Sequence, residues 1–129
     1  PYAATASVAN VDDLESKIRK ALGASKIGPA FLHVHAPCPT GWGYDPARTI
    51  EIARLAVESK CWVLCEVLDG TTFRLTPLKN TRPVLDYLKP QRRFRNLSAE
   101  QLVDIQDEVD RHYEQLRKRA ALSREAGRP

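Results

Sequence analysis

The feature that most constrains this chain is a change of apolar period across one short loop. Residues 29–36, "PAFLHVHA", alternate with period two and contain no breaker after Pro29. They predict a strand with Phe31, His33 and His35 on one face and Leu32, Val34 and Ala36 on the other. Residues 37–45 are rich in Pro and Gly and read as a loop. Asp45 then caps a helix with Pro46 at its first position, where the missing N–H costs nothing. The helix, residues 46–60, is apolar around much of its girth through Ala47, Ile50, Ile52, Ala53, Leu55, Ala56 and Val57. Such a helix packs on more than one side.

The segments on either side extend the pattern. "PYAATAS" opens the chain with small and aromatic residues suited to a strand end. Asn10 is placed to cap a first helix, with Asp12 and Asp13 where the helix dipole favours negative charge. Val11, Leu14, Ile18 and Leu22 recur at helical spacing, Gly23 ends the run, and Glu15, Lys17, Arg19 and Lys20 form a charged face. Strand, helix, strand, helix in this order predicts a parallel α/β layer.

Downstream, "WVLCEVLDGTTFRLTP" places two β-rich runs around Asp69-Gly70, a pair suited to a type I′ hairpin turn. From Pro77 the chain becomes basic and is punctuated by Pro83 and Pro90, which reads as an extended arm. A last helix is signalled by Ser98 and Gln101 as a capping box, with Leu97 stapling against Leu102. Leu102, Ile105, Val109, Tyr113 and Leu116 form its narrow apolar stripe, and "RKRAALSREAGRP" beyond it is expected to fray.

Composition sets the outer limits. At 129 residues the chain has room for one modest domain, and 43% apolar with 28% charged residues is the balance of a folded protein rather than a disordered one. No apolar run approaches the roughly 20 residues a membrane span needs, and no secretory signal opens the chain. Three cysteines without framework-like spacing point to a reduced, cytoplasmic protein. A net charge of +4 permits nucleic acid or an acidic protein partner without demanding either. The chain has no methionine, and its start at Pro1 reads as a segment of something longer.

Cys38 sits between two prolines directly after the strand, with His33 and His35 close before it. Three roles are open. As a nucleophile it needs a neighbour that favours the thiolate, and His35 or the start of the next helix are the candidates. As a metal ligand it could join His33 and His35 in a local zinc site, or be one ligand of a cluster completed from elsewhere. As a lone cysteine it could be a small buried thiol, the role also expected of Cys61 and Cys65 in the core. The basic arm, with Lys89, Arg92, Arg93 and Arg95 around Phe94, reads as a grip on an acidic protein surface ahead of a site for single-stranded nucleic acid.

Four strings in order, "PYAATAS", "GPAFLHVHAPCPTGWGYDP", "TIEIARLAVESKCWVL" and "RPVLDYLKPQRRFRNL", resemble the β-subunit of pyruvate:ferredoxin oxidoreductase and, more broadly, the 2-oxoacid:ferredoxin oxidoreductase family. The resemblance runs from residue 1 to about residue 115, and "APCPTGW" followed by "YDP" and "EIARLAVE" is its most specific part. It implies an α/β fold: residues 1–76 as the C-terminal portion of a thiamine-diphosphate-binding domain, and residues 77–129 as an extended arm and helix that dock other subunits. It implies Cys38 as the fourth ligand of a [4Fe–4S] cluster, with Pro37, Pro39 and Thr40 shaping the loop. The implied activity is oxidative decarboxylation of a 2-oxoacid to acyl-coenzyme A and carbon dioxide, with electrons passing to ferredoxin. "CPTGW" leans toward pyruvate as the substrate. The Gly-Asp-Gly…Asn region that holds Mg2+ and diphosphate, and an early Cys-x-x-Cys, are missing from this sequence. No catalytic or thiamine-contacting residue is therefore assigned here, and the segment alone is expected to be inactive. A stand-alone interaction module that kept the fold and lost the chemistry is the alternative.

Overall fold

The computed structural model describes residues 1–126. A four-stranded sheet organises them, with β1 (Tyr2–Ser7) lying between β2 (Ala30–His35) and β3 (Cys65–Leu68), and β4 (Thr72–Leu75) outside β3. β1 and β2 are parallel, in the register Tyr2 opposite Ala30 to Ser7 opposite His35. β3 runs antiparallel to β1, and β4 antiparallel to β3. The sheet is therefore mixed rather than parallel throughout. The helix after β1 returns β2 in the direction of β1, whereas β3 enters reversed after the next long helix and the hairpin at Asp69-Gly70 reverses β4 again. Both turn residues have positive φ, 52° and 72°, as a type I′ turn requires, and Thr71 N–H closes the turn on Leu68 O.

α1 (Val11–Ala24) is the crossover between β1 and β2 and packs on both. Asn10 does occupy the N-cap position, but its side chain makes no capping bond and its buried Oδ1 has no partner in the structure. Gly23 lies within the last turn instead of ending the helix, which closes one residue later with Ser25 N–H on Ala21 O. The larger correction concerns Lys17, expected on the charged face but only 2% exposed. Its Nζ donates to Thr5 O at 2.9 Å, Asp13 Oδ2 at 2.7 Å and Thr76 Oγ1 at 3.2 Å, and Thr76 in turn donates to Asp13 Oδ1. The apolar stripe of the same helix is only partly covered: Val11, Ile18 and Leu22 are exposed.

The predicted helix over 46–60 begins as a 3-10 turn (Pro46–Arg48), where Asp45 accepts from Ala47 N–H, and continues as α3 (Thr49–Glu58). Ahead of it the expected loop contains a single helical turn, α2 (Pro39–Trp42). From Pro77 the chain is not simply extended. It forms α4 (Val84–Leu88) and a 3-10 turn at Arg92–Phe94. Val84, Tyr87 and Leu88 join Tyr44, Ile52, Leu55 and Ala56 in one buried cluster. The prolines break the helical period, yet the short stretch between Pro83 and Pro90 supplies three core side chains.

α5 (Ala99–Ala126) carries the expected capping box: Gln101 Oε1 accepts from Ser98 N–H at 2.9 Å, and Ser98 Oγ accepts from Gln101 N–H at 3.2 Å. Leu97, Leu102, Ile105 and Val109 pack against the buried cluster. Residues 117–126, expected to fray, continue the helix, and the rest of that expectation, 127–129, lies outside the described residues. The extension has a task, since Ser123 Oγ accepts the outward N–H of Phe73 in β4 at 2.7 Å and Arg119 lies over the Phe73 ring. No described helix is long and apolar enough to cross a membrane.

Candidate functional site

β2 delivers the chain at its carboxyl end into Ala36, buried Pro37 and Cys38. Cys38 keeps an extended backbone, φ −104° and ψ 107°, and Pro39 then starts α2 with the φ its ring prefers. The turn closes tightly, with Trp42 N–H on Cys38 O at 3.0 Å and Gly43 N–H on Pro39 O at 2.9 Å. The Cys38 thiol is exposed, which overturns its reading as a small buried thiol. Gly41 N–H donates to its Sγ at 3.4 Å. A methyl group on Gly41 would stand 3.4 Å from that sulfur, in van der Waals contact with it.

The loop is fastened to the basic segment on its other side. Gly43 has φ +71°, Arg92 N–H donates to its carbonyl at 3.1 Å, and a Cβ on Gly43 would meet Arg92 Cβ at 2.8 Å. The Arg93 guanidinium lies 3.9 Å from the Trp42 ring centre and 4.5 Å from that of Phe94. Its Nε donates to Gln91 Oε1, and the buried Gln91 amide donates to Tyr87 O. Phe94 packs on the buried cluster beneath Arg93, so the aromatic ring in the basic segment is engaged within the chain. A shallow basin of about 420 Å3 remains between Thr40–Gly43 and Arg92, Arg93, Arg95 and Asn96. A separate cleft of about 500 Å3, between the start of α1 and Thr76–Asn80, shares no residue with this loop.

Below the loop is an aromatic cluster. His33 meets Trp62 edge-on at 4.8 Å, and His35 lies 5.1 Å from Trp62, 5.8 Å from Trp42 and 6.5 Å from Tyr87. Trp62 is fixed by its Nε1–H, which donates to Ala6 O at 2.8 Å. The predicted shared face of His33 and His35 is thus found, directed at Trp62. Burial, and after it the electrostatic influence of nearby Arg93 and His33, hold the His35 imidazole below its ordinary pKa, so it is neutral near pH 7. Its buried Nδ1 has no partner in the structure.

These positions decide between the local roles of Cys38. His35 makes no hydrogen bond to the thiol, so the Cys–His pair that nucleophilic activation requires is not formed. A local zinc site with His33 and His35 is not formed either: no three His, Cys, Asp or Glu side chains converge among the described residues. Cys61, in the link after α3, and Cys65, in β3, are partly buried, and Cys61 packs against the buried cluster. Burial raises the Cys61 thiol pKa, and Cys65 Sγ lies 3.4 Å from Thr5 Oγ1. Cys38 is left as an exposed thiol on a turn closed by the Trp42 and Gly43 N–H bonds, a residue type that serves as a soft donor to metals. The Arg93–Trp42 stack and the Gly43–Arg92 junction had no sequence signal beyond the presence of an arginine pair and a glycine, because their partners are about 50 residues apart.

No protein-family model matches the chain. Among curated proteins it is similar to pyruvate synthase subunit PorB of Methanothermobacter thermautotrophicus, 49% identical over 119 residues that make up 91% of this chain and 40% of that protein. It is 46% identical over 110 residues to NADH-dependent phenylglyoxylate dehydrogenase subunit beta of Aromatoleum evansii, covering 84% of this chain and 24% of that protein. Ketoisovalerate oxidoreductase subunit VorB of Pyrococcus abyssi is 42% identical over 126 residues, covering 95% of this chain and 39% of that protein. The chain thus spans about two fifths or less of the length of each of these relatives. Over most of its residues the chain is similar to 2-oxoacid oxidoreductase β-subunits such as PorB and VorB.

Proposed function

We propose that this chain is part of the β-subunit of an enzyme that oxidatively decarboxylates pyruvate, or a related 2-oxoacid, to acyl-coenzyme A and carbon dioxide, with electrons leaving through [4Fe–4S] clusters to ferredoxin. In that enzyme Cys38 is one cluster ligand. The supporting observation is the exposed thiol held between two prolines at the carboxyl end of β2, with a backbone N–H aimed at its sulfur. A ligand needs a thiolate, and a backbone donor stabilises charge on sulfur without adding a proton of its own. The bound cluster supplies one-electron transfer. The chain's own residues position it: Pro37 and Pro39 restrict the loop, Gly41 steadies the sulfur, and Arg92 and Arg93 hold the loop against the body of the domain.

Residues 1–76 complete the thiamine-diphosphate-binding domain in this reading. Residues 77–129 dock neighbouring subunits through the outer face of α5, where Val103 and Leu122 are exposed. In this reading other parts of the enzyme hold thiamine diphosphate and Mg2+; among the described residues no three His, Cys, Asp or Glu side chains converge on a metal site. Pyruvate is favoured because four relatives at 44–49% identity are pyruvate synthase subunits; the phenylglyoxylate enzyme at 46% and the ketoisovalerate enzymes at 40–42% make related 2-oxoacids the alternatives.

Iron and acid-labile sulfide in the anaerobically purified full-length complex test the reading. Cys38→Ser is expected to lose about one [4Fe–4S] cluster per protomer, with reduced transfer to ferredoxin. Unchanged iron and an unchanged cluster signal would favour the interaction module without chemistry. kcat/KM for pyruvate against 2-oxoisovalerate and phenylglyoxylate then fixes the substrate.

A further inference from the structure

The surface arginines of this chain fall into two groups. Arg19, Arg48, Arg82, Arg111 and Arg117 each pair with a carboxylate three or four residues away in the sequence. Arg92, Arg93 and Arg95 are exposed, and none of them has a carboxylate partner among the described residues. All three line the shallow basin beside the Cys38 loop, where no Asp or Glu joins them. Three like charges on one short turn raise a positive potential over the basin. Two of these arginines are also held in place. Arg92 is fixed through its backbone to Gly43, and Arg93 stacks on Trp42 while its Nε–H donates to Gln91. A side chain whose path is already set loses less freedom on taking a partner.

We infer that this basin is the landing surface for the acidic face of a free electron-transfer protein, the ferredoxin of the reaction proposed above. Three observations select this occupant. The far wall of the basin is Thr40–Gly43, the continuation of the loop that presents Cys38, and electron transfer weakens steeply with distance. The lining is polar and shallow, and none of the chain's exposed large apolar side chains belongs to it. Redox partners that must leave again meet over small polar contacts, whereas permanent interfaces are larger and more apolar. Finally, Phe94 packs on the buried cluster and Trp42 lies against Arg93, so neither ring is free to stack a base. That separates the basin from a site for single-stranded nucleic acid, which combines cations with open aromatic faces.

The inference rests on the reading of the chain as part of a ferredoxin-reducing enzyme. It concerns where the acceptor docks and not what Cys38 ligates, and the two can fail separately.

The test uses the full-length complex and a purified acidic ferredoxin. Calorimetric binding should weaken as ionic strength rises, because the contact is made of charges. Arg95 has no side-chain hydrogen bond or ion pair among the described residues, so it is the position to reverse. Arg95→Glu is expected to weaken binding about tenfold at low salt and much less at high salt. KM for ferredoxin should rise with it while kcat is kept. Iron content and reduction of a small viologen dye, which needs no docking surface, should match the parent. Arg95→Lys keeps the charge and should bind like the parent. Equal affinity of parent and Arg95→Glu at low salt overturns the inference. So does an equal loss in Arg95→Lys, or a permanent subunit seated on the basin in a density map of the complex. If Arg95→Glu loses iron, Asn96→Asp sets a negative charge on the same basin, and unchanged ferredoxin binding there overturns the inference equally. Iron loss in Cys38→Ser with ferredoxin binding indifferent to Arg95→Glu would sink this inference and leave the ligand reading standing. Unchanged iron in Cys38→Ser with salt-sensitive binding through Arg95 would do the reverse.

Discussion

Two polar regions flank β1, and they are built on opposite principles. Between α1 and the hairpin every charge has a close partner: Lys17 holds Asp13 and Thr76, and Lys20 donates to Glu66 at 2.8 and 2.9 Å while Tyr2 OH donates to Glu66 at 3.0 Å. Burial alone would raise the Glu66 carboxyl pKa, but the bonds from Lys20 and Tyr2 outweigh it and hold the group below its ordinary value. Burial, and after it the same carboxylate, pushes the Tyr2 phenol well up. Beneath the Cys38 loop the polar groups are embedded in rings instead, and His35 Nδ1 and Tyr44 OH are buried without partners. The first region is a closed network whose charges stabilise one another. The second leaves hydrogen-bonding capacity unused on the side where the metal-ligand candidate stands.

The contrast is sharpest if the closed network is broken. Lys17→Met leaves the Asp13 carboxylate, 17% exposed, without its cation. A loss of about 3 kcal/mol of stability is expected in denaturant titrations of the subunit, because an uncompensated buried charge costs more than the pair contributed. Adding Asp13→Leu should restore much of it. A loss below about 1 kcal/mol would mean that water already serves Asp13 and that the region is not closed.

A smaller effect is expected across the loop junction. Arg93→Lys keeps the charge but loses the planar stack on Trp42 and the Nε–H bond to Gln91, and should cost about 1 kcal/mol. Trp42 fluorescence should change with it. An unaltered Trp42 environment would show that Arg93 does not seat the loop.

The smallest effect separates the two regions by pH. His35 titrates lower in the folded chain than its ordinary 6.5, so the unfolded chain takes up the proton first. The stability associated with neutral His35 is present above 6.5 and is lost as pH falls toward the folded value. His35→Phe removes this dependence and one unpartnered buried nitrogen, so at pH 7 its stability should lie within about 0.5 kcal/mol of the parent. A clear loss at neutral pH would show that Nδ1 has a partner in the assembled enzyme. The Glu66 side responds lower on the scale, losing stability as pH falls from its ordinary 4.5 through its depressed folded value.

Where the chain's local chemistry is decisive, the sequence was readable. Ser98 with Gln101, Asp69 with Gly70, and Asp45 with Pro46 each specify backbone geometry within four residues, and each forms as expected. Distant partners were not readable. Lys17 looked like one cation of a solvated face because Thr5 and Thr76, which surround it, lie 12 and 59 residues away. Val84, Tyr87 and Leu88 sit in too short a stretch to show a helical period, yet they anchor the basic segment in the core. The extra length of α5 follows from its contact with β4, not from its weakly amphipathic sequence after Leu116. At the candidate site, the string around Cys38 pointed to the loop, but its exposure and the Gly41 donor came from the fold.

The left-handed Gly43 has a consequence for how this molecule can change. It is where the Cys38 loop touches the basic segment backbone to backbone, with no room for even a methyl group beside Arg92. Distance between those two segments is therefore a constant of the design: neither can drift, lengthen or be exchanged between relatives without the other. Recombination breakpoints that leave residues 38–43 with one parent and 91–95 with another should survive only when both parents agree on this glycine and on the path of the chain at Arg92. The loop and the segment are inherited as one part, although about 50 residues separate them in the chain.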